Sequence, residues 1–253
     1  MINYPVIGYV FKSALRDRLI ASMLCTLVAG LSLSIFMGSS AINESDQFSY
    51  VFASSALRFI GVVGIILFTV FYVRRMYDRK DIDYMLSRPI SRLGFIVSHT
   101  VAFIGIASII AFVIGGAIAL MTISSENADI FLWCLGLWAE FIIVAAAAMF
   151  FSMVLSSPAA GTLATIGLYV LGRMMGNLLG VIDAGVHMTG FSFLSIVMQV
   201  VSLIVPRFDL LVQSGWLVYG DATLSLFFMV GHSVSLLVLF TVAAWIDLQR
   251  KQF

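Results

Sequence analysis

Long apolar runs alternate with short polar breaks along the whole chain, and the spacing of the breaks predicts the elements. A bilayer-crossing helix takes about 20 mostly apolar residues. Residues 19–38 meet that requirement and end at Ser39, Ser40, Asn43, Glu44 and Asp46. Further runs cover 52–73, 93–121, 130–154, 160–180 and 222–246. The third is long enough to tilt or to begin in the interface, and Ser156, Ser157 and Pro158 form a tight turn after the fourth. Before the first run, Val6, Ile7, Val10, Phe11, Ala14 and Leu15 fall at helical spacing, with Lys12, Arg16, Asp17 and Arg18 largely on the other side. That pattern predicts an interfacial helix within residues 1–18, its apolar face in the lipid.

Between the fifth and last runs, residues 181–220 are irregular. Asp183, Gly185, His187 and Gly190 interrupt them, and an apolar run over 191–205 is then stopped by Pro206, Arg207 and Asp209. About fifteen residues is short for a span and suits a re-entrant segment. The expected fold is therefore all-α and polytopic, one transmembrane domain over 1–253. It has six transmembrane helices, an N-terminal interfacial helix and a re-entrant segment between spans five and six.

Composition agrees with that class. The chain is 61% hydrophobic and 11% charged, with a mean hydropathy of +1.08. A soluble domain carries about 25% charged residues, so the soluble globular class is excluded. Cys25 and Cys134 both lie inside apolar runs and imply neither a disulfide framework nor a thiolate metal site. The first 18 residues lack a continuous apolar core and a small-residue cleavage site, so no cleaved signal peptide is expected.

Charge distribution orients the chain. Six of the fourteen Lys and Arg (Arg74, Arg75, Arg79, Lys80, Arg88 and Arg92) fall within 72–99, interleaved with Asp78, Asp81 and Asp83. Lipid cannot accept such a segment, and its basic excess assigns it to the cytoplasm. Six spans with both termini inside place eleven of the fourteen cations there, whereas a seventh span would move Arg250 and Lys251 outside. Locally, Asp81 suits the N-cap of a short helix over 82–86, with Asp83 in its first turn. Arg88 precedes Pro89 and should end that helix, and Pro89 or Ser91 opens the next span. Charge alone does not separate a docking element from a loop that only sets topology.

Three charges lie inside the spans. Arg58 is about fifteen residues from the inner end of span two, Glu140 about ten into span four and Arg173 about thirteen into span five. Charges at that depth are costly, which favours a Glu140–Arg173 or Glu140–Arg58 pair that orients helices over a proton relay. Gly172, Gly176 and Gly180 form two consecutive G-x-x-x-G steps that permit close helix packing. His99, His187 and His232 are dispersed, and the thirteen Met form no M-x-x-M run, so no metal site is expected. No Ser/His/Asp or H-E-x-x-H arrangement occurs, and no catalytic residue is expected.

MLSRPISR, residues 85–92, resembles the LLS-x-P-[VI]-S-R signature of permease subunits of ABC-2 type transporters. VFKSALRDRLI, residues 10–20, is similar to that family's opening helix. The resemblance looks closest to the small six-span permeases of copper-enzyme maturation systems. It implies an ATP-driven exporter subunit of the plasma (bacterial inner) membrane, paired as a homodimer or heterodimer of permeases, with no nucleic-acid partner. It also implies that residues 74–92 are a coupling segment docking on a separate ATPase. The contacting residues would be Arg74, Arg75, Asp78, Arg79, Lys80, Asp81, Ile82, Asp83, Tyr84, Met85, Leu86, Arg88 and Arg92. ATP and Mg would be held by that partner, since the chain has no G-x-x-x-x-G-K-[ST]. Two alternatives remain: a secondary transporter or channel-like protein using Glu140 and Arg173, and a membrane assembly scaffold.

Overall fold

The structure is a computed structural model describing residues 4–40, 45–81, 91–122, 129–185, 205–220 and 224–250, with positions 197 and 201. Side chains within 181–185, and that of Leu19, are not described. The described residues form an all-α bundle: α1 (Tyr4–Arg16), α2 (Arg18–Ser39), α3 (Ser45–Asp78), α4 (Arg92–Met121), α5 (Ile130–Val154), α6 (Pro158–Gly185), the short α7 (Phe208–Leu211) and α8 (Trp216–Tyr219), and α9 (Leu226–Arg250). Six of these, α2 to α6 and α9, are long and apolar enough to cross a membrane.

α5 occupies the centre and packs against α3, α4, α6 and α9, while α2 packs on α3 from outside. The most buried spans are α3, α4 and α5. Lipid tails are as apolar as leucine, so helices associate there by close packing of small residues. The buried run Ala145, Ala146, Ala147 and Ala148 supplies that on α5. At Gly61 of α3 a Cβ would sit 2.9 Å from Ile114 and against the ring of Phe141, so only hydrogen lets the three helices meet. Buried hydroxyls are satisfied within their own helices: Ser98, Thr100, Thr165 and Ser233 each donate to the carbonyl four residues earlier, at 2.7 to 3.0 Å.

α3 has 34 residues, about 51 Å at 1.5 Å per residue, so it outruns a hydrocarbon core of about 30 Å. It begins seven residues before the expected start of span two and continues through Arg74 and Arg75. Those two arginines therefore extend a rigid rod rather than open a loop. The rod stops where Lys80 takes a left-handed φ of 55°. α4 opens at Ser91, whose Oγ accepts a 3.1 Å hydrogen bond from the Gly94 amide. The short helix expected over 82–86 lies outside the described residues.

One expectation is corrected in α1. Of the stripe predicted to face lipid, Val6, Val10 and Ala14 are buried, and Ile7 and Phe11 pack partly against the core. Only Leu15, 84% exposed, points outward. The cause is Gly105 on α4, which leaves a flat site for the Phe11 ring; a Cβ there would lie 2.6 Å from it. Most of the apolar run 191–205 lies outside the described residues. Beyond it, residues 205–217 fold back into the bundle, with Val205, Phe208, Leu211, Val212, Trp216 and Leu217 buried.

Candidate functional site

The polar centre of the bundle is built where this returning segment meets α3, α5 and α6. A helix of four residues such as α7 cannot satisfy its own carbonyls, and a membrane interior supplies no water to do so. Guanidinium groups take over. Arg173 of α6 donates from Nη1 to the Phe208 carbonyl at 2.5 Å and from Nη2 to the Val212 carbonyl at 2.6 Å. Arg58 of α3 donates from Nη1 to the same Val212 carbonyl at 3.1 Å. Two arginines from different spans thus converge on one backbone oxygen.

Glu140 supplies the compensating charge. It is fully buried, its Oε1 accepts a 2.8 Å hydrogen bond from the Tyr169 hydroxyl, and its Oε2 lies 3.7 Å from Arg173 Nη1. Tyr169 and Arg173 are one turn apart on α6, so a single helix face presents both groups to the carboxylate. The Tyr169 ring also packs on Phe208, with ring centroids 5.4 Å apart. On α3, Ser54 and Ser55 lie one turn before Arg58 and reach Ser214, each with an Oγ–Oγ separation of 3.3 Å.

Glycines make room for the segment. At Gly172 a Cβ would overlap the Pro206 carbonyl, and at Gly176 it would sit 2.6 Å from Asp209 Oδ2. Around Gly180 no described residue lies within 4 Å of such a Cβ. The first two glycines of the predicted stripe therefore seat the returning chain rather than another span, and the third meets none of the described residues. Gly136, one turn before Glu140, does the same from α5, where a Cβ would overlap the Leu211 carbonyl. Arg207 is held by Asp209 at 2.9 Å, and its amide donates to His232 Nε2 at 3.2 Å. Sequence reading passed over Gly136 and Tyr169. Their signal was the i, i+4 spacing to Glu140 and Arg173.

A second cluster lies at the other end of the spans, on the segment expected to contact an ATPase. Its arginines are engaged within the molecule. Arg74 Nη1 donates to the Leu155 carbonyl at the C-terminus of α5, at 3.3 Å, and its guanidinium stands 5.6 Å from the centroid of the Tyr77 ring. Arg75 Nη2 meets Asp17 Oδ2 at 3.1 Å, in the junction between α1 and α2. Arg92 Nη1 donates to the Leu248 and Gln249 carbonyls, at 2.8 and 3.1 Å, in the last turn of α9. Cations are favoured at such helix ends, where carbonyls lack intrahelical partners. Arg74, Arg75 and Arg92, which belong to the segment expected to contact an ATPase, thus also serve as internal ties. Asp78, Arg79 and Lys80 are exposed and Asp81 half-buried, while Ile82, Asp83, Tyr84, Met85, Leu86 and Arg88 lie outside the described residues.

The remaining candidates stay apart. His99 is buried among Phe95, Tyr72 and Phe103, with Nδ1 2.9 Å from the Phe95 carbonyl. His187 is outside the described residues. Cys25 and Cys134 are free, and among the described residues no three His, Cys, Asp or Glu side chains gather as a metal site.

Among the described residues, the fold and these clusters define a multi-pass, all-α membrane protein with six helices long and apolar enough to span a membrane and a buried charge cluster. No family model matches the chain, and no curated protein matches it.

Proposed function

We propose that this chain is the permease subunit of an ABC-2 type transporter, an exporter acting as a dimer with two separate ATPase subunits. In this reading it lies in the bacterial inner membrane with both termini in the cytoplasm. The observation that carries it is the set of ties around residues 82–90. Arg75 links the end of α3 to the α1–α2 junction, Arg74 links it to the end of α5, and Arg92 links the start of α4 to the end of α9. A push on the segment between α3 and α4 is thereby delivered to five of the six spans, all but α6, through short, charge-assisted contacts. A loop that only set topology would need no such connections. The sequence MLSRPISR at the same place adds the family resemblance.

The secondary-transporter alternative needs a carboxylate free to exchange a proton or ion. Glu140 instead accepts a hydrogen bond from Tyr169 at Oε1 and stands ion-paired with Arg173, 3.7 Å from Oε2. That favours the reading in which the pair holds α5, α6 and the returning segment together.

The decisive experiment is co-purification of an ATPase with the full chain, followed by ATP hydrolysis in proteoliposomes. Tyr84→Ala with Met85→Ala should lose ATPase binding or uncouple hydrolysis from transport, while insertion and thermal unfolding stay unchanged. Neutralising Arg79 and Lys80 should instead slow association at low salt and make it less sensitive to salt, since exposed charges steer encounter more than they hold it. Unchanged ATPase binding and stimulation in both variants would reject the coupling role.

A further inference from the structure

At the end of the spans that carries Arg75, a cleft of about 580 Å³ opens between α1, the α1–α2 junction and the end of α3. Its walls bring together five cations, Lys12, Arg16, Arg18, Arg75 and Arg79, around one carboxylate, Asp17. Asp17 is committed to Arg75 at 3.1 Å. Among the described residues, Lys12, Arg16, Arg18 and Arg79 have no ion-pair partner. Asp78 and Asp81 belong to the same end of the molecule but do not line the cleft. Such a concentration of unneutralised charge is a site for an anion.

A second feature says which anion. Between α2 and α3, two of the elements that form the cleft, an apolar groove of about 210 Å³ runs along the spans. Met23 and Thr26 form its α2 side, and Ile60, Val63, Gly64 and Leu67 its α3 side. It also takes in Ser22, one turn from Arg18, and Leu67 lies eight residues from Arg75, about 12 Å along the helix. Charge at the span boundary with an apolar channel directly deeper is the profile of one amphiphile. Tyr4 and Tyr9, exposed on α1, are the residue type that settles at headgroup level.

We propose that this cleft and groove bind an anionic glycerophospholipid, its headgroup phosphate among Lys12, Arg16, Arg18 and Arg79 and one acyl chain between α2 and α3. The site holds α1 against the bundle and is independent of the transporter reading. Arg supplies a planar fork matched to phosphate oxygens, which Lys lacks.

The test uses the full chain in detergent, titrated with phosphatidylglycerol, with phosphatidylcholine and with soluble glycerol 3-phosphate, and read by native mass spectrometry and thermal unfolding. Wild type should bind phosphatidylglycerol in preference to phosphatidylcholine. The triple variant Lys12→Gln, Arg16→Gln, Arg18→Gln should lose that preference by about a hundredfold, each cation contributing roughly fivefold. Because those cations also direct insertion, Thr26→Trp serves as a second variant that keeps every charge and fills the groove. It should weaken phosphatidylglycerol while leaving the unfolding midpoint without lipid unchanged. Equal binding of the two lipids by wild type, or full retention of phosphatidylglycerol in both variants, overturns the proposal. Glycerol 3-phosphate binding as tightly as phosphatidylglycerol would make the cleft a site for soluble anions and overturn it equally.

Discussion

Tyr169 donates its hydroxyl to Glu140 across 2.8 Å, from the helix face that, one turn later, presents Arg173 to the same carboxylate. One helix therefore supplies both the hydrogen bond and the cation that answer a charge buried on another. Because Arg173 also holds the Phe208 and Val212 carbonyls, the returning segment is anchored through the same guanidinium. The first three predictions concern how these contacts share the load.

Removing one partner of a buried ion pair typically costs about 3–5 kcal/mol. Glu140→Gln and Arg173→Gln should each destabilise the protein strongly, and the double variant should cost much less than their sum. Thermal unfolding in detergent, run as a double-mutant cycle, measures the coupling. It should exceed the coupling of Glu140 with Arg58, whose recorded hydrogen bond goes to Val212. Equal or absent coupling to Arg173 would contradict the geometry.

Tyr169→Phe removes only the hydroxyl and keeps the ring on Phe208. Polar contacts inside membrane bundles average about 0.6 kcal/mol and reach about 1.7. The loss should fall in that range, and it should shrink in a Glu140→Gln background, where the acceptor is a neutral amide. A loss of the same size in both backgrounds would mean that the hydroxyl does not act through the Glu140 carboxylate.

The glycines of α5 and α6 should separate by what stands opposite them. Gly136→Ala and Gly172→Ala force a methyl onto the Leu211 and Pro206 carbonyls, and overpacking of this kind costs about 1–3 kcal/mol. Gly176→Ala should be milder, because the Asp209 side chain can shift. Gly180→Ala meets none of the described residues and should stabilise by up to about 1 kcal/mol through helix propensity. Unfolding midpoints in any other order would show that the returning segment does not rest on these positions.

The ties at the basic end should also rank by exposure. Arg92 donates to two carbonyls ending α9, and hydrogen bonds from a charged group are worth about 1.5–3 kcal/mol. Arg92→Gln should therefore lower stability clearly. Arg75 is 42% exposed beside Asp17, itself 10% exposed, and water on one side screens the pair, so Asp17→Asn should lower the midpoint less than Arg92→Gln does. If Asp17→Asn were the more damaging, the two ties would have been ranked wrongly.

Topology is tested by labelling. With Cys25 and Cys134 replaced by Ala, Lys251→Cys should stay unlabelled by a membrane-impermeant maleimide in intact cells, and Asp46→Cys should be labelled. Labelling at position 251 would remove the six-span arrangement with both termini inside.

The six spans were legible because membrane insertion is written locally. A run of about 20 apolar residues cannot stay in water, and the breaks at Ser39–Ser40 and Ser156–Pro158 are visible in one dimension. Boundaries were less legible. α3 starts at Ser45 and runs to Asp78, since a helix propagates into water once nucleated and its polar ends carry no apolar signal. The buried charges were visible as anomalies, and the expense of isolated charge in lipid narrowed their pairing to Glu140 with Arg173 or Arg58.

What only the tertiary structure decided is which surfaces face one another. Hydropathy gives α1 an apolar stripe but does not say whether lipid or protein covers it, because the two are equally apolar; Gly105 on α4 decides for protein. It marks Gly172, Gly176 and Gly180 as alike, yet Gly172 meets Pro206 and Gly176 meets Asp209, far later in the chain, while no described residue stands against Gly180. It shows arginines at 74, 75 and 92 but not that carbonyls at helix ends and Asp17 engage them. Sequence alone determined which segments enter the membrane, a transfer energy summed residue by residue. The pairing of charges and glycines with distant backbone was decided by the fold, because those energies exist only between segments that folding brings together.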